Sequence, residues 1–245
     1  GVFNTAAETL ARAFWPGPLT LVLPAVKDCL VSDLARAGLP TLALRAPAHP
    51  VAQALIEAAG LPIAAPSANL SGRVSPTTAA HVLEDLDGAV DIVLDGGATE
   101  VGVESTVIAC LDGAPALLRP GGLTRAAIEA VLGLPLAGAA TTQAPQAPGM
   151  LASHYAPRAA VRLGATQVAA DEAALDFGGC LAGGPCLARR ELSASGDLAE
   201  AAANLFGFLR DLDASGASRI AVAPVPQTGL GEAINDRLAR AAAPR

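Results

Sequence analysis

Apolar and polar residues follow one another along the chain with two different periods, and those periods lay out a series of short helices and strands. Ala7, Leu10, Ala11 and Phe14 recur at helical spacing behind Thr5-Ala6-Ala7-Glu8, which has the form of a capping box, so the pattern predicts a helix over 5–14. It stops at Trp15-Pro16-Gly17-Pro18. Residues 19–23 and 41–44 read as strands, and His49-Pro50 followed by Val51, Leu55 and Ile56 reads as a helix closing at Gly60. The apolar runs 61–65 and 90–94 read as two more strands. Between them, Ser75 and Pro76 predict the N-cap and first residue of a helix whose buried face is Val82, Leu83 and Leu86. Residues 105–111 and 116–118 predict a hairpin around Asp112-Gly113, and Thr124 predicts the cap of a helix that buries Ile128 and Val131.

Between 134 and 149 the pattern breaks down into Ala, Gly, Pro, Thr and Gln without charge, which reads as a linker between two domains. Beyond it, 160–163, 175–177 and 220–225 read as strands, and 198–212 and 230–241 as helices. The second half is therefore a small α/β unit, compatible with a parallel sheet. The expected organisation is a first domain over 1–138, a linker over 139–158 and a smaller domain over 159–245.

Composition narrows the function classes. The chain has 245 residues, 52% of them apolar and 16% charged, ample for a sizeable core. Its mean hydropathy of +0.44 comes from dispersed Ala, Leu and Val. No uninterrupted apolar run reaches the ~18 residues that a spanning helix needs, and no signal peptide is visible, so the expectation is a cytoplasmic protein without a membrane partner. The net charge of −7 argues against stable nucleic-acid binding. Lys27 is the one lysine, which leaves phosphate handling to arginine, hydroxyls and backbone N–H groups. Four cysteines and three histidines show no metal-ligand spacing; Cys110 reads as a core residue, and no metal held by side chains is expected.

The segment from Pro66 to Thr77, PSANLSGRVSPT, sets three serines, an asparagine and a glycine between an apolar run and a helix. Such a loop aims hydroxyls and backbone N–H groups at one point, where phosphate or carboxylate oxygens can sit. The same residues are also the ordinary material of turns, and the segment alone does not decide. Three other stretches place polar side chains at strand edges: 41–50 with Arg45, 102–107 with Ser105 and Thr106, and 118–121 with Arg119. The two arginines offer fork-shaped, permanent charge for a carboxylate and for phosphates, and the hydroxyls add donors.

These stretches, in this order, resemble the YrdC-like family, and closely its two-domain threonylcarbamoyl-AMP synthase form. The resemblance rests on 14–20 (FWPGPLT), Arg45 to Pro50, Pro66 to Thr77, Asp95-Gly96-Gly97, 102–107 and 118–121, and later on Pro148-Gly149-Met150, His154-Tyr155-Ala156-Pro157 and the tail 229–238. It implies an α/β fold: a YrdC-like twisted-sheet domain followed by a smaller Rossmann-like α/β domain, with the linker crossing the active site. It also implies condensation of L-threonine, bicarbonate and ATP into threonylcarbamoyl-AMP and pyrophosphate, with Mg2+ accompanying ATP, in supply of the tRNA threonylcarbamoyl-transfer machinery that makes t6A. By the match, Arg45 and Ser105 are the catalytic pair, and Arg45, Ser105 and the backbone near Ala65 hold threonine. Thr41, Ser67, Asn69, Ser75, Arg119 and Tyr155 face ATP, and His154 supports the linker. Joining two anions to a triphosphate asks mainly for positioning and charge neutralisation. No activated nucleophile is needed, and neither a Gly-x-Ser-x-Gly elbow nor a P-loop is present.

In the family, a lysine-bearing stretch precedes the point where this sequence starts, and the expectation is that the chain as given is weak or inactive while an upstream-extended form is the enzyme. Two other readings remain: the carbamoyl-adenylate-forming domain of hydrogenase maturation, and a non-catalytic YrdC-like module that binds nucleotide or RNA. Dependence on threonine separates the three. The Glu232, Asn235 and Asp236 face of the last helix reads as solvated.

Overall fold

The computed structural model describes residues 1–138 and 153–244. Most of the expected linker, including Pro148, Gly149 and Met150, lies outside the described residues. The chain divides into two compact units that do not follow sequence order. One holds Gly1–Pro66 with the described part of 104–150, and the other holds Ser67–Val103 with the described part of 151–245. No helix among the described residues is long and apolar enough to cross a membrane.

In the first unit, α1 (Thr5–Phe14) spans the expected residues, but its cap lies one position earlier than the capping-box form suggests: Asn4, not Thr5, accepts the Ala7 N–H at 3.0 Å. A mixed sheet follows, ordered β2-β1-β3-β4-β5, from β1 (Leu19–Pro24), β2 (Thr41–Leu44), β3 (Thr106–Ala109), β4 (Ala116–Arg119) and β5 (Ala137–Gly138). β1 pairs antiparallel with β2 and parallel with β3, and β3 and β4 form the expected hairpin. Alternation along β1 sends Leu19, Leu21 and Leu23 to the face covered by Ala7 and Leu10 of α1 and by Ile128 of α4 (Arg125–Leu132), all fully buried. Each such leucine contributes about 1.5–3 kcal/mol. Thr20 and Val22 take the other face. Thr124 caps α4 as expected, but Val131 is exposed.

Helix α2 (Pro50–Ala59) closes at Gly60, whose φ of 63° is the left-handed cap that glycine accepts most readily. It buries no residue. The run 61–65, expected as a strand, is not one; it has no ladder partner among the described residues, and Leu61 stands 67% exposed.

In the second unit, β6 (Ala160–Arg162), β7 (Ala173–Asp176), β8 (Ala188–Glu191) and β9 (Arg219–Val222) form a wholly parallel sheet ordered β6-β9-β7-β8. This is the α/β unit expected, with β8 unforeseen and β7 displaced toward the N-terminus. Helix α5 (Leu198–Ala214) lies on the sheet, its Leu205, Phe206 and Leu209 packed in one core with Leu175, Ile220 and Val222, and α6 (Gly231–Ala241) adds Ile234 and Leu238. Segment 67–103 carries α3 (Ala79–Leu86). Its cap is Thr78 rather than Ser75: Thr78 Oγ1 accepts the His81 N–H at 3.3 Å, while the Thr77 N–H, one of those a Ser75 cap would bind, is taken by His81 Nδ1 at 3.2 Å. α3 buries none of its residues, so the expected Val82, Leu83 and Leu86 face is not a buried one. The expected strand 90–94 is absent too, and Ile92 is 79% exposed.

Candidate functional site

The first unit gathers hydroxyls and one guanidinium where β1, β3 and β4 adjoin. Ser105, 6% exposed, lies directly before β3, and its Oγ sits 2.7 Å from Thr20 Oγ1 on β1. Arg119, 7% exposed at the end of β4, donates through Nη2 to the Ser105 carbonyl at 2.9 Å and reaches Ser105 Oγ at 3.4 Å. Thr106 fixes the start of β3 from the other side: its Oγ1 donates to Leu123 O at 2.5 Å and accepts from Leu123 N at 3.0 Å. Segment 119–122 wraps closely around 104–106, and Gly122 N–H donates to Glu104 O at 2.9 Å. A Cβ at Gly121 would stand 2.3–2.4 Å from the Glu104 and Ser105 backbone, so the glycine of the Arg119-Pro120-Gly121 stretch permits the approach that brings Arg119 to Ser105.

Thr41 is half-buried in β2, and Arg45, following it, is exposed with no partner for its guanidinium among the described residues. Ala65 is exposed. Within this unit, then, Ser105 and Arg119 are in contact, while Arg45 keeps an uncommitted positive charge.

The remaining predicted residues belong to the second unit. Ser67 is exposed. Asn69 Nδ2 closes the polar loop on itself, donating to Leu70 O at 2.8 Å and Arg73 O at 3.2 Å. Ser75 is 4% exposed. Tyr155 is 1% exposed, its ring stacks on Phe206 with centroids 5.4 Å apart, and the Arg237 guanidinium lies 5.3 Å over it. The enclosed ring anchors the residues that follow the linker, with His154 edge-on to it at 4.1 Å. The tail departs from expectation. Asn235 Nδ2 donates to Val225 O at 3.0 Å, tying α6 to the segment before it, and to Gly231 O at 2.8 Å, while Asp236 pairs with Arg237 and Arg240 of the same helix, so both groups are engaged within the protein rather than left to water.

Thr20, His81 and Arg210 are functional candidates the sequence did not single out. Thr20 stands inside the 14–20 stretch at an alternating position of β1, a signal that could have found it. Arg210 had none, since its partners lie 135 residues away or nearly so. Burial, and secondarily the charge of Arg210, holds the His81 pKa below its ordinary 6.5.

Two α/β units, one with a buried arginine against paired hydroxyls at adjoining strand ends and one with a polar Ser/Asn loop and a parallel sheet, define a two-part α/β protein. Residues 2–121 match the Sua5/YciO/YrdC family, described as telomere recombination, and residues 123–243 match the threonylcarbamoyl-AMP synthase C-terminal domain. The threonylcarbamoyl-AMP synthase of Bacillus subtilis is 43% identical over 98% of this chain and 73% of its own, and that of Pyrococcus abyssi 42% identical over 96% and 73%. A crystal structure of P. abyssi Sua5 with L-threonine superposes with a TM-score of 0.88 at 38% identity, covering 99% of this chain and 75% of that one. The chain belongs to the threonylcarbamoyl-AMP synthase family, in its two-domain form.

Proposed function

We propose that the chain condenses L-threonine, bicarbonate and ATP into threonylcarbamoyl-AMP, releasing pyrophosphate, and does so in the cytoplasm for the tRNA machinery that makes t6A. The observation that carries this reading is the buried contact of Arg119 with Ser105, itself fixed by Thr20, in a chain 43% identical to a threonylcarbamoyl-AMP synthase. Threonine amine and bicarbonate combine with loss of water; a carbamate oxygen then attacks the α-phosphorus of ATP and the bond to pyrophosphate breaks. The uncommitted guanidinium of Arg45 takes the threonine carboxylate, with Ser105 Oγ and the backbone at Ala65 beside it. Thr41, Ser67, Asn69, Ser75 and Arg119 meet the nucleotide. A permanent cation held in a largely dry position needs no reorganisation as charge develops, which is where such groups contribute most.

Among the described residues no group of three or more His, Cys, Asp or Glu side chains is placed to hold a metal ion. Mg2+ belongs in this reading to the incoming nucleotide, as part of the substrate.

Pyrophosphate release from ATP by this chain and by an upstream-extended form, with and without L-threonine and bicarbonate, tests the reading. Release that requires both is expected. Release indifferent to threonine would point to the carbamoyl-adenylate class, and ATP binding without release to a binding module; either outcome overturns the assignment.

A further inference from the structure

Arg210 stands on α5, deep in the C-terminal part of the sequence, yet its side chain is spent on the polar loop. It is 11% exposed. Nη2 donates to Val74 O at 2.6 Å and to Asp85 Oδ2 at 2.6 Å, and Nε reaches Ser75 O at 3.5 Å. Nη1 lies 3.4 Å from Glu84 Oε2 and 3.5 Å from Asp85 Oδ1. One guanidinium therefore spans two consecutive loop carbonyls and the carboxylates of α3, the helix that the loop enters. A planar fork does this; an ammonium, a single point of charge, does not.

The loop is tied at other points as well. Ala156 N–H, next to the enclosed Tyr155, donates to Gly72 O at 2.9 Å. His81 Nδ1 accepts Thr77 N–H, and Thr77 O accepts Thr99 N–H at 2.9 Å. Between Gly72 and Thr77, Arg210 reaches the two residues in the middle. In a trans peptide C=O and N–H point in opposite directions, so drawing Val74 O toward α5 turns the Ser75 N–H away from α5.

We propose that Arg210 is a positioning residue for the 67–77 loop, holding it in the form that receives the nucleotide phosphates. This assigns the C-terminal domain a part in nucleotide binding without contact to the nucleotide. The inference rests on reading the loop as the ATP-facing segment. Displacing a binding group by about 1 Å can cost on the order of a hundredfold in rate or affinity, so loss of this clamp is expected to be visible without any change in the groups that touch substrate.

Arg210→Ala, Arg210→Lys and Asp85→Asn in the full chain provide the test, read by amide hydrogen exchange and by steady-state kinetics. Arg210→Ala is expected to speed exchange of the 70–77 amides about tenfold or more while β6–β9 keep their protection, and to raise KM for ATP at least tenfold with KM for L-threonine within about twofold. Arg210→Lys falls between the two. Unchanged loop exchange together with an unchanged KM for ATP overturns the proposal, and so does an equal loss for both substrates that follows the folded fraction. If Arg210→Ala does not fold, Arg210→Lys and Asp85→Asn decide by the same criteria. Absence of threonine-dependent pyrophosphate release from both the unaltered chain and an upstream-extended form would defeat the proposed function, and loop exchange in the variants would then decide the role of Arg210 by itself.

Discussion

Replacing Gly102 by alanine puts a methyl group where the second unit has backbone. Its φ is +72°, and a Cβ there would stand 2.1 Å from Ala202 O, 2.4 Å from Ala203 Cα and 2.6 Å from Ala203 O. Non-bonded carbon contacts settle near 3.5 Å, so either residues 101–103 or the start of α5 must move by about 1 Å. The helix has no room to retreat, since Ala201, Ala202 and Leu205 are fully buried on the sheet. Left-handed backbone costs a non-glycine residue about 1–2 kcal/mol, and overpacking against a fixed core about 1–3 kcal/mol, giving roughly 2–5 kcal/mol together. Gly97 is the control: its φ is +86°, but nothing lies within 4 Å of its Cβ position, so Gly97→Ala carries only the backbone part. In urea titrations followed by far-UV circular dichroism, with a slope of about 2 kcal/mol/M, Gly102→Ala should lower the midpoint by roughly 1–2.5 M and Gly97→Ala by no more than about 1 M. Equal shifts for the two variants would refute the steric argument and leave conformation alone as the reason for glycine at 102.

Ser105→Ala should raise KM for L-threonine about tenfold, and Thr20→Val by less; the double variant should be no worse than Ser105→Ala, because the two hydroxyls act as a unit in the kinetic assay. Arg119→Lys should lower kcat/KM about ten- to a hundredfold with an unchanged circular dichroism spectrum, since an ammonium cannot reproduce the fork held by Ser105. His81 binds a proton less readily folded than unfolded, so its contribution to stability is complete above the unfolded value of 6.5 and is lost as pH falls through 6.5 toward the lower folded value. Urea midpoints from pH 8 to 5 should therefore fall more steeply for the unaltered chain than for His81→Gln. Cys110 is 1% exposed and its thiol is pushed up to about 11 by burial, so a thiol reagent at pH 8 should modify the exposed Cys180 rapidly and Cys110 only on unfolding.

Much of the site was legible because its residues sit at strand ends that the apolar pattern locates. β1, the β3–β4 hairpin and the Thr124 cap all follow from short-range signals, and they carry Thr20, Ser105 and Arg119 to one place. What the pattern could not supply was the partner of each group. Nothing in the local sequence of Tyr155 announces that Phe206 and Arg237, distant along the chain, enclose its ring. The tail helix shows the same limit: a polar face of Asn235 and Asp236 reads as solvated until the carbonyls and arginines that occupy it are seen.

Strands make the point most sharply, because a strand is a pairing and not a property of its own residues. Residues 61–65 and 90–94 have the apolar content of buried strands, yet no ladder forms there among the described residues, and Leu61, Ile63, Ile92 and Leu94 stand 67%, 43%, 79% and 57% exposed. β8, Ala188-Arg189-Arg190-Glu191, has almost no apolar content and is nevertheless a strand. Its register against β7 sets Arg189 opposite Ala174 and Glu191 opposite Asp176, and the charges are taken up locally: Arg189 Nη1 binds Asp176 Oδ2 at 2.7 Å and Arg190 Nε binds Asp211 Oδ2 at 2.9 Å. Glu191 shows the cost, its pKa raised by burial and by the neighbouring Asp176 carboxylate. Apolar alternation thus reports what a segment is able to bury, and hydrogen-bonding partners decide whether it becomes a strand.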